Sequence, residues 1–208
     1  MERLIEEIKL LKGSSIKQVI DSRMREFEAL GKKESVEIFK ELCFCLLTAN
    51  YSAEGGIKIQ REIGSGFLFF DRYLLAEKLK FLGHRFPNAR AGFIVNTQNL
   101  AHTIKGKIES IESDHMRREW LVKNVKGIGM KEASHFLRNI GYGNVAIIDF
   151  HIVDLLVRNN LIEKPKAINQ KKYLEIEGVL KKLSGAVGIN LGELDLYLWY
   201  METGKVLK

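Results

Sequence analysis

Apolar residues recur at helical spacing along nearly the whole chain, and strand-like alternation is absent. Leu4, Ile8 and Leu11 form a first stripe that stops at Gly13 and Ser14. Ile16, Val19, Ile20, Met24 and Phe27 form a second, with Gly31 at its C-terminal end. Val36, Phe39, Leu42, Cys43, Leu46 and Leu47 predict a more buried third helix ending near Thr48. Ser52 can cap a short helix over 53–63, and G-S-G at 64–66 breaks it. Asp71 can start a helix through Leu79, and Asn88 can cap another from Ala89 to about Ile108. Further helices are expected over about 114–122, 130–140, 150–159, 170–183 and 191–203. V-A-I-I at 145–148 is β-prone but short, and reads as a buried connection. The prediction is an all-α, two-lobed unit spanning 1–208, with a cleft between lobes and the N-terminal helices packed against the C-terminal one.

Residues 125–151 carry the clearest chemistry. V-K-G-I-G-M-K at 125–131 is a glycine-containing turn between two helices, and Lys131 falls in the first turn of the second. Asp149 follows the apolar run, where the next helix begins. Glycines let backbone N–H groups approach a phosphate with no Cβ in the way. The helix behind them presents its positive end to the same anion. A phosphate grip, an amine and a carboxylate together suit chemistry on a nucleic-acid sugar.

Charge agrees moderately with such a partner. Lys+Arg 33 against Asp+Glu 26 gives +7, and 46% hydrophobic content provides for a sizeable core. Charge alone would equally suit a solvated lysine-rich surface. Cys43 and Cys45 lie in one apolar helix, where C-x-C cannot close a relaxed disulfide, and two thiols cannot hold an iron–sulfur cluster. The five histidines make no zinc pattern, and there is no P-loop. No leader or membrane-length apolar run is visible, so a cytoplasmic, nucleoid-associated protein of a prokaryote is expected.

The hairpin and the downstream aspartate resemble the helix-hairpin-helix, Gly-Pro-Asp superfamily of DNA glycosylases, with G-N-V-A-I-I standing in place of that superfamily's Gly-Pro-rich stretch. Nearly the full length resembles one branch, the compact type-2 8-oxoguanine DNA glycosylase/AP lyases of archaea and some bacteria. The supporting pieces, in family order, are L-T-A-N-Y-S-A-E at 47–54, H-R-F-P-N-A-R at 84–90, the hairpin at about 115–141, A-I-I-D-F-H at 146–151, and the ending D-L-Y-L-W-Y-M-E-T-G-K-V-L-K.

The resemblance implies a monomer that excises 8-oxoguanine from double-stranded DNA. It implies Lys131 as the nucleophile on C1′, giving a Schiff base that cuts the strand by β-elimination, and Asp149 as the ionised group steadying the cationic sugar. Lys131 could otherwise be a solvated helix lysine, and Asp149 is also a good N-cap. Val125, Gly127 and Gly129 resemble the phosphate contacts of the hairpin, which in this family commonly also holds a monovalent cation through backbone carbonyls; no other cofactor is implied. An ordinary helix corner is the alternative. Phe86 and Trp199 resemble the rings that hold the extruded purine, though Trp199 could be core. Lys208, the last residue, offers a carboxylate and an ammonium to the purine edge, or is a frayed tail. Asn50 resembles the residue pushed into the gap left by the flipped base, or caps the next turn. Two further readings stay open: a same-fold enzyme for oxidised pyrimidines, and a non-catalytic DNA-binding module.

Overall fold

A computed structural model describes all residues, 1–208. It contains twelve α-helices, two short 3-10 turns and no strand. The helices are α1 (Glu2–Lys12), α2 (Ile16–Gly31), α3 (Ser35–Thr48), α4 (Ala53–Ile63), α5 (Arg72–Phe81), α6 (Pro87–Val95), α7 (Ile104–Glu109), α8 (Asp114–Asn124), α9 (Met130–Asn139), α10 (Phe150–Arg158), α11 (Gln170–Val187) and α12 (Leu191–Thr203). No helix is long and apolar enough to cross a membrane.

Two hydrophobic cores form the two lobes. The first gathers around α3, whose stretch from Leu42 to Leu47 is fully buried, and takes in the apolar faces of α4 to α9. The second joins α1 and α2 to α10, α11 and α12. The N-terminal helices therefore complete the C-terminal lobe, as the amphipathic stripes suggested. Helix α9 lies between the lobes. Its Ala133, Phe136 and Leu137 belong to the first core, while Met130 packs on the second.

One expected element divides. The single helix anticipated from Ala89 to about Ile108 is α6, a 3-10 turn at 98–100 and α7. Asn88 is not its cap; α6 starts at Pro87, whose fixed φ suits the first helical position. It stops because Thr97 Oγ1 turns back to the carbonyls of Phe93 and Ile94, at 3.2 and 2.8 Å. Gln98 then ties the turn to Phe67 and Phe70 carbonyls.

The 145–148 connection is buried and not a strand. Its backbone groups bond to side chains of α11 instead. Ala146 N–H donates to Glu177 at 2.7 Å, and Tyr173 Oη donates to Ala146 O at 2.7 Å. Glu177 also takes a two-pronged bond from Arg118 of α8, at 2.7 and 2.8 Å, with both side chains almost fully buried. Burial alone would raise the Glu177 carboxyl, but Arg118 and the Ala146 N–H hold it below the usual carboxylate range. This pair fastens the first hairpin helix to the segment that delivers Asp149.

Candidate active site

The hairpin is α8, the turn 125–129, and α9. Val125 closes α8 and is buried; Gly127 adopts φ +92°, which favours glycine. A Cβ on Gly127 would lie 2.3 Å from the Phe93 ring of α6, so this glycine also lets the turn dock on the first lobe. Gly129 differs. It is the first residue before α9, has an ordinary negative φ, and a Cβ there would meet only the Glu132 carboxylate at 3.4 Å. No side chain caps α9, so its leading N–H groups face outward from the turn. The carbonyls of Lys126, Gly127 and Ile128 accept no backbone hydrogen bond. No cluster of histidine, cysteine and carboxylate side chains forms a metal site.

A cavity of about 680 Å³ opens between the lobes. Its walls come from the α3–α4 corner, one face of α9, the Asp149 corner, α12 and the last two residues. Lys131 and Asp149 both line it. The Lys131 side chain is about a quarter exposed, and its Nζ lies 3.8 Å from Glu132. Asp149 caps α10, accepting the Ile152 N–H at 3.0 Å. The carboxylate is thus held by its own helix while facing the cavity.

Three buried polar residues stand behind this pair. Asp195 of α12 forms an ion pair with Arg138 of α9. Burial pushes Asp195 up to about 6 against the pull of Arg138, with the Asp149 charge adding to the rise. His135 lies one turn beyond Lys131. Burial, reinforced by Arg138, Lys131 and Lys208, lowers its pKa well below the ordinary histidine value, so it is neutral.

Aromatic rings form another wall. Trp199 is half-buried and meets His151 edge-on at 5.1 Å; it lines the cavity instead of filling the core. His151 in turn packs against Phe150, at 4.0 Å between ring centroids. Phe150 is 67% exposed, an unusual setting for a large apolar ring. Phe86 does not line the cavity. It sits before α6 with Arg85 and Arg90 near its ring, and its N–H donates to His84 Nδ1. His84 stacks on Tyr51, which does line the cavity. Asn50 also lines it, exposed and in the left-handed region at φ +58°. It caps nothing, because Ser52 caps α4.

Lys208 is not a frayed tail. Its ammonium donates to Glu41 at 2.8 Å and to Gln60 at 2.5 Å, over the Phe44 ring. This corrects the expectation that the ammonium reaches a purine: it points into the first lobe and is already paired. The residue still lines the cavity, and its main chain lies within hydrogen-bonding reach of the His135 ring.

Residues 20–189 match the family described as 8-oxoguanine DNA glycosylase. The chain belongs to the 8-oxoguanine DNA glycosylase family. Similar relatives are 8-oxoguanine DNA glycosylase/AP lyases from Korarchaeum cryptofilum, 53% identical over 100% of this chain and 99% of that one, and from Methanocaldococcus jannaschii, 55% identical over 99% of both. The Methanocaldococcus jannaschii glycosylase/lyase crystallised with a 15mer DNA containing 8-oxoguanine superposes with TM-score 0.96 over 99% of this chain and 100% of that one. The Thermotoga maritima 8-oxoguanine DNA glycosylase does so at 0.93, with 45% identity, 100% of this chain and 99% of that one covered.

In this member of the 8-oxoguanine DNA glycosylase family, sequence reasoning passed over Glu41, His135, Arg138 and Asp195. A signal was present: Lys131, His135 and Arg138 follow at i, i+4 and i+7 on one face of α9. Asp195 stands one turn before Trp199 on α12, and so shares its face.

Proposed function

We propose that this protein is a bifunctional 8-oxoguanine DNA glycosylase/AP lyase acting as a monomer on double-stranded DNA at the chromosome of a prokaryote. The observation that carries this is one cavity, large enough for a nucleoside, that collects Lys131, Asp149, Trp199 and the last residue, Lys208.

The chemistry requires the target nucleotide to leave the duplex. The hairpin grips the phosphate backbone through N–H groups at the start of α9, and Asn50 occupies the gap in the stack. The purine enters the cavity against Trp199, while Phe86 stands outside the cavity beside the His84–Tyr51 pair. 8-Oxoguanine carries a proton on N7 where guanine has a lone pair. A carboxylate aimed at N7 accepts from the lesion and repels guanine, which assigns recognition to the Lys208 terminus.

Unprotonated Lys131 Nζ attacks C1′, and the bond from C1′ to the base nitrogen breaks. The base leaves with its electron pair and takes up a proton. Asp149, ionised and held by its own helix, stabilises the positive charge developing on the sugar. The amine adduct opens to a Schiff base, and loss of the C2′ proton expels the 3′ phosphate.

Defined duplexes carrying 8-oxoguanine, guanine or an oxidised pyrimidine test this reading. Release of free 8-oxoguanine far ahead of the others, with strand cleavage, is the expected result. Preferential release of oxidised pyrimidines, or binding without release, overturns it.

A further inference from the structure

Residues 204–208 follow α12, which ends at Gly204 in the left-handed region, φ +68°. Val206 packs on the second core, and Lys205 pairs with Glu54 on the surface. Beyond that, the last residue is held at two points: its main chain meets the His135 ring, and its side chain is anchored in the first lobe. Glu41, 2% exposed, uses both oxygens: Oε2 accepts from Lys208 Nζ at 2.8 Å and from Gln60 at 3.0 Å, and Oε1 accepts from Asn139 at 2.7 Å. Asn139 Oδ1 accepts two bonds from Arg138, at 3.0 and 2.9 Å, and Arg138 pairs with Asp195 in the cavity wall. One buried polar chain therefore runs from the last residue to the carboxylate behind Lys131 and Asp149.

Stability does not account for it. A buried ion pair is often no more stable than well-packed apolar groups, and Phe44 already offers an apolar wall 4.3 Å from the ammonium. What such a pair does provide is a single position for an end of chain that would otherwise fray. We propose that Glu41, which does not line the cavity, is a positioning residue for lesion discrimination: it fixes the terminal carboxylate of Lys208 relative to the catalytic pair. The inference rests on the reading of that carboxylate given above.

The test is the ratio of 8-oxoguanine to guanine excision by the full-length protein under single turnover, a ratio that does not depend on the fraction folded. Glu41→Gln should lower it by about 10-fold, as expected when a charge-assisted contact is misplaced, while cleavage at a pre-formed abasic site stays at the parent level. The double variant Glu41→Gln/Lys208→Met leaves no buried charge unpaired, so it removes the anchor without the folding penalty; its ratio should fall as far. Parent-like ratios in either variant overturn the inference, as does abasic-site cleavage falling in step with 8-oxoguanine excision. Deleting Lys208 separates the two claims. A deletion that loses discrimination while both variants keep it leaves the carboxylate reading standing and removes Glu41 from it; a deletion with the parent ratio removes the carboxylate reading itself.

Discussion

The N-termini of α9 and α10 meet at the same cavity and are finished in opposite ways. Helix α9 begins on Gly129 with no side chain over its leading N–H groups. Helix α10 begins under Asp149, whose carboxylate closes its first turn. Both ends carry the partial positive charge of a helix start. One is left open to an anion from outside, and Lys131 rides on its first turn. The other holds its own anion and aims it at the cavity. The difference shows how one geometric element can be left free for an anion or can carry a carboxylate of its own, with both ends beside the same cavity.

Removing the amine from the open end should have the largest effect. Lys131→Gln keeps length and helix propensity but cannot form a Schiff base, so borohydride trapping to DNA and strand cleavage should both vanish while the circular dichroism spectrum is unchanged. Trapping at the parent level would place the nucleophile elsewhere. At the closed end, Asp149→Asn keeps the cap, since asparagine accepts from the Ile152 N–H equally well. Its melting temperature should hold and lesion DNA should still bind. The barrier should rise by about 2–4 kcal/mol, because the charge facing the cationic sugar is gone. A variant as fast as the parent would reduce Asp149 to a capping residue.

Much of this was legible before the structure. Helix starts at 53, 72 and 150 follow from Ser52, Asp71 and Asp149, because a cap is a local interaction between near neighbours. The 89–108 segment misled because its apolar residues keep helical spacing across Thr97 and Gln98, while the Thr97 hydroxyl takes carbonyls of its own helix and Gln98 is drawn to the distant Phe67 and Phe70 carbonyls. Lys131 and Asp149 could be found because each sits at a helix start beside a distinctive turn. Arg138 shares a helix face with Lys131, and Asp195 with Trp199, but a charged residue in an apolar helix reads as its wet face until a partner from another helix is known. The Lys208–Glu41 pair joins positions 167 residues apart and left no local trace.

The two hairpin glycines sharpen what openness means. Gly127→Val forces a branched side chain into a positive φ and against Phe93, so it should destabilise the fold by about 1–3 kcal/mol and loosen the hairpin from α6. Gly129→Ala meets no such obstacle, yet puts a methyl group at the open helix end. It should leave the melting temperature within a degree or two of the parent and weaken binding by about 1 kcal/mol. That loss should be equal for damaged and undamaged duplex, because phosphate contacts carry no base information. Undiminished binding by folded Gly129→Ala would mean that the phosphate is held elsewhere.

The smallest effect concerns what lies behind both helix ends. His135 is buried among Arg138, Lys131 and Lys208, and its Nδ1 has no hydrogen-bond partner. Burial first, and those cations second, hold its folded pKa well below the unfolded value of about 6.5. Above that value the ring is neutral in both states and pH has no leverage through it. As pH falls below about 6.5 the unfolded chain takes up a proton that the folded one refuses, so stability is lost at up to about 1.4 kcal/mol per pH unit. His135→Gln removes the titration while keeping a polar side chain of similar size. Thermal melts of parent and variant at pH 8, 6 and 5 should therefore converge, with the variant losing less on acidification. Parallel losses in the two proteins would show that His135 does not set the acid limb, and that the cations around the cavity crowd it less than their placement implies.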